Sequence, residues 1–248
     1  MKKQCLVCLM VLLVALMQNA FAQDISFGGR IGRFYSDWNN VSGPDFLRSE
    51  SSSAESWAFE VYANRYMSKD FSCGLGLGFV SRNSMLCYEP ESEGFGLGSG
   101  FSMPIWSISP MTAKEFGLSD KLGVKLGVSL PINLIEASDH KYITNPFAMV
   151  FDGETGEPFV VMEVDGGTYV ERKVSVFIRP ELGLFYKLGS NGKLTLDAMY
   201  GFNPGDPLVV REFKEVKYDE QVYSGFRHEY KGDYWAVTIG YEYRLFSK

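Results

Sequence analysis

From about residue 24 onward, apolar and polar side chains alternate with a period of two in segment after segment. Successive side chains of a strand point to opposite faces, so this alternation marks strands with one apolar face and one small or polar face. The last segment, residues 233–246, sets Trp235, Val237, Ile239, Tyr241, Tyr243 and Leu245 against Tyr234, Ala236, Thr238, Gly240, Glu242 and Arg244. Seven earlier segments repeat the theme, over residues 24–35, 56–67, 71–79, 100–111, 121–134, 173–187 and 193–202. Residues 121–134 are the clearest, with seven Leu, Val or Ile residues alternating with Lys121, Gly123, Lys125, Gly127, Ser129, Pro131 and Asn133. Residues 100–111 are the most blurred. Pro104 and Pro110 remove ladder donors, so that strand needs local bulges or positions beyond any apolar band.

The connections between the eight strands alternate in length. Polar intervals of residues 36–55, 81–99, 136–172 and 203–231 are long, while residues 68–70, 112–120 and 189–192 are short. With both chain ends on one side, every short turn falls on that side and every long loop on the other. Transmembrane barrels sort their loops in this way, with an apolar outer face and a polar interior. Within residues 136–172, the β-prone stretches 159–164 and 168–174 flank Asp165-Gly166-Gly167, a hairpin turn signal that predicts a projecting ribbon.

The N-terminus adds an address. Lys2 and Lys3 precede an apolar run to Met17, followed by Ala20-Phe21-Ala22 and Gln23. This is the pattern of a secretory signal peptide over residues 1–22, cleaved between Ala22 and Gln23 to leave residues 23–248 as one barrel domain. Lys plus Arg then falls from 24 to 22 against 30 Asp plus Glu, a formal charge of 22 − 30 = −8. An acidic chain without a basic cluster argues against nucleic-acid binding. Cys73 and Cys87 remain after cleavage, and the sequence leaves a bond between them open. No later stretch reaches the ~18 apolar residues of a helical span.

With the signal motif, the loop parity and the closing Tyr241-Glu242-Tyr243-Arg244-Leu245-Phe246 in view, the chain resembles the small eight-stranded outer-membrane barrels of Gram-negative bacteria. These are the OmpA/OmpX-like and porin-family β-barrel domain proteins. The resemblance spans essentially all of residues 23–248. It implies an all-β, antiparallel, up-and-down transmembrane barrel with long extracellular loops, set in outer-membrane lipid as a monomer. It also implies that Tyr241, Tyr243, Leu245 and Phe246 form the signal read by the barrel-insertion machinery, with Ser247 and Lys248 after the last aromatic as a departure from the usual ending.

Candidate chemistry concentrates on the inward face. Arg30, Glu60, Lys125, Arg179, Glu181, Asp197, Glu242 and Arg244 fall there by parity. An eight-stranded interior is only wide enough for side chains to fill it, and buried charges must pair. A neutralised plug with glycines making room is therefore expected in preference to a conducting path. His140 and His228 both fall in long loops, and Ser138-Asp139-His140 has suggestive residue types for catalysis but neighbours in sequence rarely converge as a triad. Acidic loop residues such as Glu89, Glu91, Glu93, Asp152, Glu154 and Glu157 lack calcium-loop spacing. The expectation is a non-catalytic protein without cofactor or metal, with a structural role or an extracellular ligand. A small porin is the first alternative, ahead of a lipid-modifying enzyme or a soluble periplasmic ligand-binding barrel.

Overall fold

The computed structural model describes residues 24–39, 42–51, 56–88, 97–135, 140–144, 148–151, 158–218 and 220–245. The strands in chain order are β1 (Ile25–Ser36), β2 (Leu47–Ser51), β3 (Trp57–Tyr66), β4 (Phe71–Tyr88), β5 (Leu97–Gly117), β6 (Leu122–Ser129), β7 (Ile132–Ile135) and β8 (His140–Thr144). They continue as β9 (Ala148–Phe151), β10 (Pro158–Val170), β11 (Val174–Val176), β12 (Arg179–Leu188), β13 (Gly192–Gly201), β14 (Val209–Tyr218), β15 (Gln221–Tyr230) and β16 (Tyr234–Arg244).

Antiparallel pairing runs β1–β3–β4–β5–β6–β12–β13–β16 and returns to β1, with Ser26 opposite Arg244 and Ser36 opposite Tyr234. The sheet is a closed eight-stranded up-and-down barrel, because β7 continues the line of β6 and β11 that of β12. Closure leaves no strand edge, the condition for placing backbone polar groups in lipid. Both described termini and the turns at 67–70, 118–121 and 189–191 share one end, and the long connections share the other. The outward positions are apolar and exposed, among them Ile31, Phe59, Leu77, Leu126, Leu184, Leu196 and Ile239. Aromatic residues border this band on both sides. Tyr35, Trp57, Trp106 and Trp235 lie toward the long loops; Phe27, Phe71, Phe116, Tyr186, Tyr241 and Tyr243 lie toward the short turns. That is the girdle arrangement of a membrane-facing barrel wall.

The structure corrects several expectations. β5 is not confined to residues 100–111; it extends to Gly117, so that residues 112–117, expected as a connection, pair with β4 and β6. Pro104 and Pro110 need no bulge, because the β4–β5 register is unbroken from Phe71 to Tyr88. Pro110 instead faces Leu130, where the opposite strand is itself interrupted by Pro131, and its carbonyl accepts from the Leu130 N–H at 2.9 Å. A missing donor is tolerated where the ladder already ends. β4 likewise runs past residue 79 to Tyr88, carrying β2 on its extension.

The Asp165-Gly166-Gly167 segment is not a turn. β10 runs straight through it, with β8 on one side and β14 on the other, and absorbs the glycines as a register shift at Asp165/Gly166. Flanking strands satisfy its backbone on both sides, which outweighs the local turn preference. The interval 203–231, expected as a charged loop, contains the β14–β15 hairpin. Together β15, β14, β10 and β8, with β9 on β10, form a second sheet at the long-loop end. Leu47 and Leu86 of the extended barrel wall pack on its Met162, Val164, Phe213, Val216 and Phe226. No disulfide joins Cys73 to Cys87.

Candidate functional site

The lumen is filled in layers. In the middle layer Arg30 donates to Glu60 and, at 2.7 Å, to Glu181 Oε2. Arg179 Nη2 lies 3.0 Å from Glu60 Oε1, and Arg179 Nε lies 3.0 Å from Glu181 Oε1. Lys125 Nζ sits 2.7 Å from Asp197 Oδ1, with Arg30 Nη1 3.7 Å from Asp197 Oδ2. Three cations thus face three carboxylates contributed by β1, β3, β6, β12 and β13, and Ser129 Oγ donates to Glu181 at 2.9 Å. Alternation along each strand delivers the charges inward, and glycine opposite them leaves the space. A Cβ on Gly76 would stand 2.6 Å from Glu60 Oε1, and one on Gly183 would collide with Asp197.

Toward the short turns, Lys193 Nζ bridges Glu115 Oε1 at 2.5 Å and Glu242 Oε2 at 3.2 Å. Glu242 also accepts from Ser26 Oγ and Tyr66 Oη, each at 2.7 Å. Arg244, expected in the ion-pair network, forms no ion pair among the described residues. Its guanidinium lies over the Tyr66 ring, 3.6 Å from the centroid, because β16 ends there and the side chain sits at the rim. Lys193 and Glu115 were not singled out from the sequence. Lys193 has the parity of Thr195 and Asp197 and was recoverable; Glu115 was hidden by the assumed end of its strand.

Toward the long loops the filling becomes apolar. Phe34, Met103, Ile105, Phe177, Met199, Leu208, Tyr230 and Tyr234 belong to one buried cluster across the barrel mouth. Arg82 is embedded in it, 4.4 Å over the Phe34 ring, and donates to Tyr230 Oη and, at 3.1 Å, to the Gly232 carbonyl. The β4 inward parity extends to Arg82, so the signal existed once that strand was known to continue. These contacts tie the chain after β15 to the barrel wall and close the lumen from above.

Above this mouth, His228 on β15 is fully buried beneath the second sheet. Arg211 Nη1 donates to Ser49 Oγ at 2.6 Å, and the Ser49 hydroxyl is hydrogen-bonded to His228 Nδ1 at 2.7 Å. Burial, followed by the Arg211 charge, pushes the His228 pKa down to about 4. Burial also pulls Arg211 down to about 10. A neutral, inaccessible imidazole joined to a serine and a guanidinium is a packing device and lacks the approach a substrate needs. The His140 backbone lies in β8 opposite Tyr169; Ser138 and Asp139 lie outside the described residues, as do Glu89, Glu91, Glu93, Asp152, Glu154 and Glu157. Tyr241, Tyr243 and Leu245 face outward at the short-turn rim, whereas Phe246 and the expected cleavage positions Ala20, Ala22 and Gln23 also lie outside the described residues.

The barrel fold recurs in a solved structure. The outer membrane protein OprG from Pseudomonas aeruginosa superposes with a TM-score of 0.52 at 11% identity, covering 91% of this chain and 97% of its own. The chain has the fold of a small outer-membrane β-barrel. Neisserial surface protein A is also similar, at 13% identity, TM-score 0.41 and 89% and 96% coverage. So is the N-terminal barrel of P. aeruginosa OprF, at 8% identity, TM-score 0.38 and 90% and 98% coverage. No family model matches the chain, and no curated protein matches its sequence. The outer-membrane barrel fold therefore rests on geometry, and its strands and loops carry this chain's own side chains.

Proposed function

We propose that this protein is an integral outer-membrane barrel, non-catalytic and monomeric, whose barrel is a rigid mount and whose long-loop sheet is the surface offered to an extracellular ligand. The observation that carries this reading is the occupied lumen. A balanced layer of three cations and three carboxylates, a second layer in which Lys193 bridges Glu115 and Glu242, and an apolar layer lie in series across it, and the second sheet packs on the extended wall beyond them. A solute would have to break several buried pairs, each break costing about 3–5 kcal/mol. A constitutive pore is disfavoured on that ground. Catalysis is disfavoured because the one histidine with a described side chain is enclosed and hydrogen-bonded to Ser49. The barrel-insertion machinery is the remaining expected partner, through the outward Tyr241, Tyr243 and Leu245 together with Phe246.

The test is electrical. In planar bilayers the protein inserts without single-channel steps, whereas regular conductance steps would overturn the plugged-barrel reading in favour of a small porin.

A further inference from the structure

Three outward positions of the barrel wall are charged among the described residues: Arg33, Arg65 and Lys114. All three are basic, in a chain with 30 acids and 24 bases. The acids of these strands, Glu60, Glu115, Glu181, Asp197 and Glu242, all face inward and are paired. The outward bases also avoid the middle of the apolar band. Arg33 is the register partner of Trp57 and lies 4.6 Å over its ring, at the long-loop girdle. Arg65 is eight residues from Trp57 along β3, a height of about 20 Å for a strand rising ~3.3 Å per residue at a ~40° tilt. Basic side chains at the two borders of an apolar band lie at the depth of lipid phosphates, where they are least costly.

The short-turn border has a shaped seat. Arg65 pairs in register with Cys73, and Cys73 with Thr112, so a guanidinium, a small thiol and a small hydroxyl stand side by side on β3, β4 and β5. Lys114 follows Thr112 on the same face. Thr112 Oγ1 donates to the Ser72 carbonyl at 3.1 Å, and the Cys73 thiol lies 3.8 Å from Thr112 Oγ1, which holds both small side chains along the wall. Neither Arg65 nor Lys114 forms an ion pair among the described residues, and Arg65 Nε is shut off from solvent with no hydrogen-bond partner. A guanidinium and an ammonium without a protein counter-charge at the border of an apolar band ask for an anion. The next row inward, Ala63, Leu75 and Pro110, is apolar and offers a path for an acyl chain.

We propose that Arg65 and Lys114 form a binding site for the phosphate of a glycerophospholipid in the leaflet at the short-turn end, with Cys73 and Thr112 as its floor. The proposal rests on the membrane reading of the barrel. Arg65 supplies charge-assisted N–H donors to the phosphate oxygens, and Lys114 a second point charge. Bound lipid then fixes the depth of the wall.

The experiment is native mass spectrometry of the full folded chain released from detergent micelles. It is titrated with dimyristoylphosphatidylglycerol and, separately, with dimyristoylglycerol, which has the same chains and no phosphate. The wild type retains the phosphatidylglycerol and not the diacylglycerol. Arg65→Gln with Lys114→Gln lowers retention about thirty-fold, near 1 kcal/mol for each charge. Arg33→Gln leaves it unchanged, and a heat-modifiable band shows that each variant is folded. Equal retention of the two lipids, or full retention by the double variant, overturns the site. Alkaline extraction of wild type from phosphatidylethanolamine–phosphatidylglycerol vesicles separates the two levels: release would defeat the membrane reading and the site with it, while retention confines a failure to the site.

Discussion

Arg30 Nη1 lies 2.7 Å from Glu181 Oε2, across 151 positions of sequence, and the pair joins β1 to β12 through the centre of the barrel. Such a contact is a tie across the lumen, whereas the ladders join only neighbours around the wall. Arg30 also donates to Glu60 on the adjacent strand, and Arg179 reaches both carboxylates. Each charge in this group is therefore held by at least two others.

Removing one carboxylate leaves a cation enclosed without its counter-charge. Glu181→Gln is expected to destabilise the folded barrel by about 3–5 kcal/mol. Urea unfolding in lipid vesicles, followed by tryptophan fluorescence, measures the loss. An unchanged midpoint would mean that the network contributes nothing to stability.

Space is as specific as charge. Gly183→Leu would drive its Cβ into Asp197, beside Lys125. The expected result is a loss of about 1–3 kcal/mol from overpacking. Leu184→Ile, one residue along but facing lipid, changes little. The contrast is read from the temperatures at which the two compact bands disappear on unboiled gels.

The closure of the mouth depends on Arg82. Arg82→Ala removes its donations to Tyr230 and Gly232 and leaves a gap beside Phe34. Faster protease cleavage within residues 202–233 is expected, with the barrel still heat-modifiable. Unchanged cleavage would show that the apolar cluster holds this segment without the arginine.

The second sheet is expected to be acid-labile. The folded pKa of His228, about 4, lies below its usual value of about 6.5, so the unfolded or undocked state binds the proton more readily. Stability from the neutral imidazole is complete above pH ~6.5 and declines as pH falls toward 4, reaching on the order of 3 kcal/mol. Hydrogen exchange of β14 and β15 should accelerate over that window, and His228→Gln should flatten the dependence. A pH-independent exchange rate in the wild type would contradict it.

The sequence by itself determined the eight wall strands and the sorting of long and short connections. It also determined the direction of the inward charges on the segments that alternate, because strand parity is a local property that a single residue's slip would reverse. That is why Arg30, Glu60, Lys125, Arg179, Glu181, Asp197 and Glu242 could be placed inside before any partner was known. Partners, strand ends and the second sheet were decided by the tertiary structure. Arg244 has inward parity, but the end of β16 leaves it at the rim over Tyr66. Asp165-Gly166-Gly167 has turn residues, but β8 and β14 on both sides hold it extended. Glu115 and Arg82 lie in stretches whose local pattern suggests connection, and only pairing with a neighbouring strand makes them part of the wall. Local alternation sets which way a side chain points; what it meets depends on chain segments a hundred or more residues away.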